Sequence, residues 1–309
     1  IKKFEKSQPN NSLKYLVKKI KLSIKNVNPN FYTYVRNLFR EIKYLYIKLR
    51  LNNFSQLIFN SNKYSIKYEN FIAHAGGTIN NHKYTNSLEA INFNYKKGVK
   101  LFEFDLNLTS DNQLVAVHDW ESWQNMTDYK KKIPPNKKDF INTKILKKYT
   151  PLDLDKIINW HNSHEDTIIF TDKFDDLKSL LKSFPKNENF YHEIYDEKQL
   201  IYAFDNDIKN IIVSEKILRN NFFSDIFLKK LKDHNIYGLS VSRYSIYKNS
   251  EFFKKARLLG LKVFVYRLND GYPGGTEKEL ICNFNEYLDA VYADYFPKFG
   301  TDKSINYCN

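Results

Sequence analysis

From Asn70 onward, short apolar runs with period-two alternation give way repeatedly to apolar positions spaced three and four apart. The runs predict strands at 71–75, 101–108, 167–172, 190–194, 210–214, 237–242, 262–267 and 290–294. The wider spacing predicts helices beginning near Ser87, Asp153, Asp175, Glu197, Phe222, Ser250 and Glu277. Asn86-Ser87-x-Glu89 reads as a helix cap, and Gly98 and Gly260 read as C-terminal stops. Strand then helix, about eight times over, predicts a parallel sheet closed as an α/β TIM barrel, with an open doubly wound sheet as the alternative. Residues 110–150 interrupt the alternation as an insertion. It holds a short strand (LVAVHD) and a basic, proline-containing loop (KKKIPPNKK) expected to be mobile.

The first seventy residues follow another pattern. Leu13, Leu16, Val17, Ile20 and Ile24 form a helical stripe, with Lys14, Lys18, Lys21 and Lys25 mostly elsewhere around the helix. Asn28-Pro29-Asn30 interrupts it, and a second stripe runs through Phe31, Tyr34, Val35, Leu38, Ile42, Leu45 and Leu49. The expected organisation is therefore a basic helical segment, 1–68, ahead of a barrel domain, 69–309.

Charge sharpens this division. The chain of 309 residues carries a formal +14. Residues 1–70 hold 15 Lys/Arg against 3 acids, so the remainder is nearly neutral. Residues 13–51 could pack on the barrel with their lysines in water, or meet an anionic membrane surface. No recognisable nucleic-acid module accompanies the charge, which argues against nucleic acid as a partner. No stretch of about eighteen apolar, uncharged residues occurs, so no transmembrane helix is expected. The expected location is the cytoplasm or a membrane periphery. The start at Ile1 leaves an upstream signal or domain open. Two cysteines, Cys282 and Cys308, make neither a disulfide framework nor a zinc spacing. Nothing in the composition fixes an oligomeric state.

The candidate chemistry is concentrated in 46 residues. Glu103 and Asp105, two apart on a strand, project to one face while Phe102, Phe104 and Leu106 pack behind them. Carboxylates held that close repel unless a cation lies between them. His74 and the His118-Asp119 pair flank them in sequence, supplying imidazoles that can move protons around a divalent cation.

The series His74-x-Gly76, Asn86-Ser87-x-Glu89-Ala90, Gly98, Glu103-x-Asp105, Thr109-x-Asp111 and His118-Asp119 resembles the motif set of the glycerophosphodiester phosphodiesterase family. That family lies among the phosphatidylinositol-phospholipase-C-like barrels. The segment LDAVYADYFP (288–297) resembles its closing strand, with Asp294 and Pro297 matching the last element. The resemblance implies that His74 and His118 are the catalytic pair and that Glu103 and Asp105 bind metal. A third carboxylate is expected from the next barrel strand, where TIIFTDKF offers Asp172. The family's Glu-x-Lys is met there only by Lys173, since Thr171 occupies the glutamate position. Its usual His-Arg-Gly is also broken, because Ala75 replaces the phosphate-binding arginine. Lys173, Arg243 and Arg267 are the candidate replacements, and Asn86 and His192 the further candidate substrate contacts, His192 lining the pocket with Glu193 or Tyr195.

The expected function is thus a phosphoric diester hydrolase using one Mg²⁺ or Ca²⁺ ion and histidine acid–base catalysis. Its substrate would be a glycerophosphodiester-like compound, such as a phospholipid head group or a phosphate-linked glycan. A phosphoryl-group transferase acting on a surface polymer or lipid, or a catalytically silent binding barrel, are the alternatives.

Overall fold

A computed structural model describes residues 66–184, 189–266, 286–296 and 304–305. All of them lie in the unit Phe59–Asn309. The two basic helices expected in 13–51, the helix expected near Glu277, Arg267 and Pro297 fall outside the described residues.

Eight strands run parallel: β1 (Phe71–Ala73), β2 (Leu101–Leu108), β4 (Ile168–Asp172), β5 (Phe190–Ile194), β6 (Ile211–Ser214), β7 (Gly238–Ser242), β8 (Lys262–Tyr266) and β9 (Ala290–Ala293). Each pairs with its sequence neighbours around the ring, and β1 hydrogen-bonds to both β2 and β9. The parallel sheet therefore has no free edge, which makes it a closed TIM barrel and removes the open-sheet alternative. β3 (Leu114–Ala116) folds back antiparallel on the end of β2 and belongs to the insertion.

Strand alternation divides the core. Ile72, Leu101, Phe170, Ile212, Phe264, Ala290 and Tyr292 cluster inside the barrel. Ala73, Phe102, Phe104, Ile169 and Phe190 pack outward with Ile157 and Trp160 of α4 (Leu154–Asn162). A larger outer cluster joins β5–β9 to α6 (Glu197–Asp205), α7 (Glu215–Asn220), α8 (Asp225–Asp233), α9 (Arg243–Lys248) and α10 (Ser250–Leu258). No helix of the described residues is long and apolar enough to cross a membrane.

Helix starts follow the capping residues. Ser87 caps α1 (Leu88–Lys96), Asp153 caps α4, Asp176 caps α5 (Leu177–Ser183), Asp196 caps α6 and Ser224 caps α8, each side chain accepting a backbone N–H three residues on. Such a cap contributes about 1 kcal/mol. Glu89 is not spent on the cap but accepts from Thr150 N and Oγ1 at 2.7 and 2.8 Å, which ties the end of the insertion to α1. The helix expected near Phe222 begins at Asp225 as α8, and the unexpected α7 precedes it, parted from it by Phe222 and Phe223 at left-handed φ values of 56° and 48°.

The insertion is more ordered than a mobile loop. Val115, Val117, Trp123 of α2 (Trp120–Asn125), Tyr129, Phe140 of α3 (Lys137–Asn142) and Ile145 form a core of their own against Ile79 and Ala90. Ser110 N donates to Pro135 O and Lys137 N to Asp111 Oδ1, both at 2.9 Å, so the KKKIPPNKK segment is strapped to the end of β2.

Candidate active site

His74, Asp172 with Lys173, and Asp294 lie at or just past the C-terminal ends of β1, β4 and β9, the face on which such barrels place their chemistry, and Glu103 and Asp105 lie along β2. After Ala73 the chain makes one tight turn, His74–Gly76, with Ala75 at φ 50° and ψ 40°. Gly77 continues it at φ 83°, and a side chain there would strike the buried Asn94 amide, which donates to Gly76 O at 3.0 Å. The turn aims the Ala75 N–H at Glu103 Oε2, 2.8 Å away, and raises His74 over the barrel mouth.

His74 Nδ1 lies 2.9 Å from Asp294 Oδ1, directly after β9. That bond places the ring proton on Nδ1 and leaves Nε2, 3.9 Å from Glu103 Oε2, as the free base. Asp294 Oδ2 also accepts from Lys83 Nζ at 3.1 Å and Tyr84 OH at 3.3 Å. Burial opposes ionisation of Asp294, but His74 and Lys83 outweigh it and hold the carboxyl below its ordinary value. Across the mouth, His118 Nδ1 lies 2.7 Å from Asp119 Oδ2, while Asp119 Oδ1 accepts from Ser122 N and caps α2. The Ser122 bond, with the His118 bond beside it, lowers the Asp119 carboxyl to about 2. The Tyr84 ring sits between the two histidines, 5.0 Å from His74 and 6.0 Å from His118.

Below them are three acids. Asp105 on β2 is in register with Asp172, the last residue of β4, and carboxylate oxygens of Glu103, Asp105 and Asp172 come within 4.8 Å of one another. Glu103 Oε1, Asp105 Oδ2 and Asp172 Oδ1 are enclosed and have no hydrogen-bond partner among the described residues. The remaining oxygens are held by the Ala75 N–H, by Lys173 Nζ at 2.7 Å and by Tyr195 OH at 3.0 Å. Burial, then the charges of Asp105 and Asp172, push Glu103 well above the usual carboxylate range. Burial and Asp105 push Asp172 up to about 8. Three inward oxygens without donors among the described residues, on crowded carboxyls of neighbouring strands, make a donor set fitted to a hard divalent cation. The all-oxygen set, without cysteine, does not suit a structural zinc ion.

Residues 74–208 match the model of the Glycerophosphoryl diester phosphodiesterase family. The matched stretch, which is less than half of the chain, is similar to that family. That similarity puts the chain among the phosphoric diester hydrolases. Solved structures agree on the fold. A glycerophosphoryl diester phosphodiesterase from Parabacteroides distasonis is 16% identical, covering 72% of this chain and 82% of its own with a TM-score of 0.57. One from Thermotoga maritima is 21% identical, with coverages of 73% and 94% and a TM-score of 0.56. A phosphodiesterase from Oleispira antarctica, solved with the product sn-glycerol-3-phosphate, is 17% identical, with coverages of 73% and 92% and a TM-score of 0.55. No curated protein gives a significant match.

Against the family pattern, the two departures have local explanations. Thr171 occupies the family's glutamate position but faces outward, its Oγ1 2.9 Å from His192 Nδ1, while Asp172 turns inward beside Asp105. Strand alternation alone would send Lys173 outward with Thr171. A left-handed φ of 62° at Lys173 reverses it, so Nζ reaches Asp105 Oδ1 and the His118 carbonyl. At Ala75, the backbone N–H on Glu103 is the contact that the position still supplies.

Other candidates are placed differently. His192 does not line the mouth: it is buried on the outward face of β5, its ring nitrogens 2.9 Å from Thr171 Oγ1 and from the Phe174 carbonyl. Burial lowers its imidazole to about 4, so it is a neutral structural residue. Its strand neighbours Glu193 and Tyr195 have the opposite orientation, and Tyr195 reaches Asp172. Burial and the Asp172 charge push Glu193 up to about 8. Arg243 is buried at the start of α9, at the C-terminal end of β7. Asn86 is buried beside His118 in a cavity against the insertion. Lys83, Tyr84 and Trp123 escaped the sequence analysis, since their importance depends on which loop meets β9 and which helix meets β3.

Proposed function

We propose that this barrel hydrolyses a glycerophosphodiester-like substrate with the help of one divalent cation, Mg²⁺ or Ca²⁺, and of two histidines acting as base and acid. The observation that carries the reading is the triad of enclosed, donorless carboxylate oxygens between two imidazoles whose Nδ1 atoms each meet a carboxylate. Glu103, Asp105 and Asp172 would hold the ion, which when bound supplies charge neutralisation to a phosphate oxygen. His74, kept by Asp294 with Nε2 unprotonated, takes a proton from the attacking water. His118, oriented by the contact of its Nδ1 with Asp119 Oδ2, gives a proton to the departing alkoxide as the P–O bond breaks. Lys173, in contact with Asp105, and Lys83, in contact with Asp294, compensate for the alanine at position 75.

The test is release of sn-glycerol 3-phosphate from glycerophosphodiesters with EDTA, Mg²⁺ or Ca²⁺. Turnover should require a divalent cation and fall by about 10²–10⁴-fold in His118→Ala. Metal-independent turnover, or full activity in the variant, would overturn the mechanism.

A further inference from the structure

Two features of the rim lie across the barrel mouth from one another, since β2 and β7 stand opposite in the ring. On the side of β2, the strap 130–138 is held to the strand's C-terminal end by the Ser110 and Lys137 bonds. Lys131 pairs with Asp139, and Lys137 with Asp153 and Asp155. Lys130, Lys132 and Lys138 are exposed and make no ion pair among the described residues. Residues 126–148 as a whole carry eight lysines against two acids, so this side is strongly basic. On the far side, between β6 and β7, the turn from α7 to α8 sets one phenylalanine inward and the other outward. Phe223 packs on Phe252 and Phe253 at 5.3 and 6.0 Å, whereas Phe222 is 89% exposed and Ile226 is 84% exposed. The turn is anchored, because Asn221 Nδ2 donates to Glu197 Oε1 at 2.8 Å. Glu197 opens α6 just past the C-terminal end of β5, which puts the turn at the level of the mouth. Exposed Lys216 and Lys229 flank it, and Tyr244, also exposed, follows β7 directly. Large apolar side chains held in water at a fixed place mark a surface that a partner covers.

We propose that the mouth face docks on an anionic lipid bilayer, with Phe222 and Ile226 entering the interface on one side and the strap lysines meeting lipid phosphates on the other. That a lipid then supplies the diester rests on the hydrolase reading above. A bilayer is flat and wide enough to meet both sides of a barrel mouth at once. It offers an apolar interior to an aromatic and a branched side chain, and negative charge to lysines. The two sides divide that work: the strap exposes no large apolar residue, and the turn exposes two. Of the acids on the rim between them, Asp176 and Asp196 are engaged as the caps of α5 and α6. In this pose the three acids and two histidines open toward the head groups, so a diester carried by a lipid reaches them without leaving the surface.

The experiment uses the full chain and reads how the mouth meets the lipid rather than how tightly the chain is held. Phe222→Trp is titrated with vesicles of phosphatidylcholine and phosphatidylglycerol brominated along the acyl chains. The emission added to that of the native tryptophans should shift to the blue and be quenched, and less so with phosphatidylcholine alone. In the metal-loaded protein, kcat/KM is then compared for a lysophospholipid carried in such vesicles, without bromine, and for soluble glycerophosphoglycerol. Phe222→Ser with Ile226→Ser should lower the first by about 10²-fold, roughly tenfold for each side chain withdrawn from the interface. Lys130→Glu with Lys132→Glu and Lys138→Glu should lower it by about 10-fold or more, a loss that fades at high salt. Neither set should change the second. An introduced indole that brominated lipid does not quench, as when the true occupant is a protein or a soluble polyanion, overturns the inference, and so do equal losses on both substrates. If neither substrate turns over, the hydrolase reading fails, and the quenching alone decides the docking face.

Discussion

Replacing Asp172 by asparagine should make the metal-free protein less sensitive to alkali while reducing its use of metal. The enclosed carboxyl of Asp172 moves from an ordinary value of 3.8 to about 8 in the fold. Between those limits the native state keeps a proton that the unfolded chain has released, so stability falls as pH rises from about 4 to about 8. At roughly 1.4 kcal/mol per pH unit the loss is on the order of 5 kcal/mol, and water reaching this partly exposed residue trims it to roughly 3. For a domain of this size that corresponds to a fall in Tm of about 10 °C. Asparagine keeps the shape and the Tyr195 contact but has no proton to lose. Because Asp172 also raises Glu103 and Glu193, its removal relaxes their contribution in the same direction. Thermal denaturation in EDTA at half-unit steps from pH 4.5 to 8.5 should therefore give a steep curve for the native chain and a flatter one for Asp172→Asn. Adding Mg²⁺ or Ca²⁺ at pH 8 should raise Tm more in the native chain than in the variant. Parallel curves in EDTA would refute the claim that crowded carboxyls set this pH dependence.

Asp294→Asn should lower kcat by roughly 10–10³-fold with little change in KM, less severe than His74→Ala, because the imidazole stays but its tautomer is no longer enforced. Tyr195→Phe should weaken divalent-ion affinity by about 10-fold or more in a metal titration, since Asp172 Oδ2 loses the hydroxyl that orients it. His192→Leu should cost about 1–3 kcal/mol in urea denaturation by removing the ring partner of the Phe174 carbonyl and the shorter of the two bonds of Thr171 Oγ1, with kcat/KM per folded molecule nearly intact. If the basic segment serves membrane attachment, deleting residues 1–65 should abolish salt-sensitive binding to anionic vesicles and spare hydrolysis of a soluble diester; equal binding by the truncated chain would refute it.

The strands were legible because each is a short apolar run bounded by turn residues, and every barrel strand falls within two residues of its expected position. Glu103 and Asp105 were legible for the same reason: a period of two fixes a common face, and Phe102, Phe104 and Leu106 are buried behind them. Helices α7 and α9 were not. Each has six residues, too few for a 3.6-residue period to register, and begins directly at a strand end. His192 shows a second limit. FYHEIY alternates cleanly, but alternation does not say which set faces the barrel axis; the aromatic and acidic positions do, and the histidine goes to the helices. Lys173 shows a third, because one left-handed residue at a strand terminus reverses a side chain that periodicity sends the other way.

β2 does more than contribute two acids to the cluster. From Glu103 and Asp105 the same strand continues to Asn107, whose amide donates to the Val117 and His118 carbonyls at 2.9 and 3.4 Å. The spacing between the acidic cluster and His118 is therefore measured along a single backbone, in steps of about 3.3 Å per residue. A chain in which β2 slipped by one residue would misplace Glu103, Asp105 and His118 together. Conversely, the insertion can change length, helices and wall residues while leaving that interval untouched. The reacting centre is thus calibrated by one strand, and what it accepts can diverge independently of how it reacts.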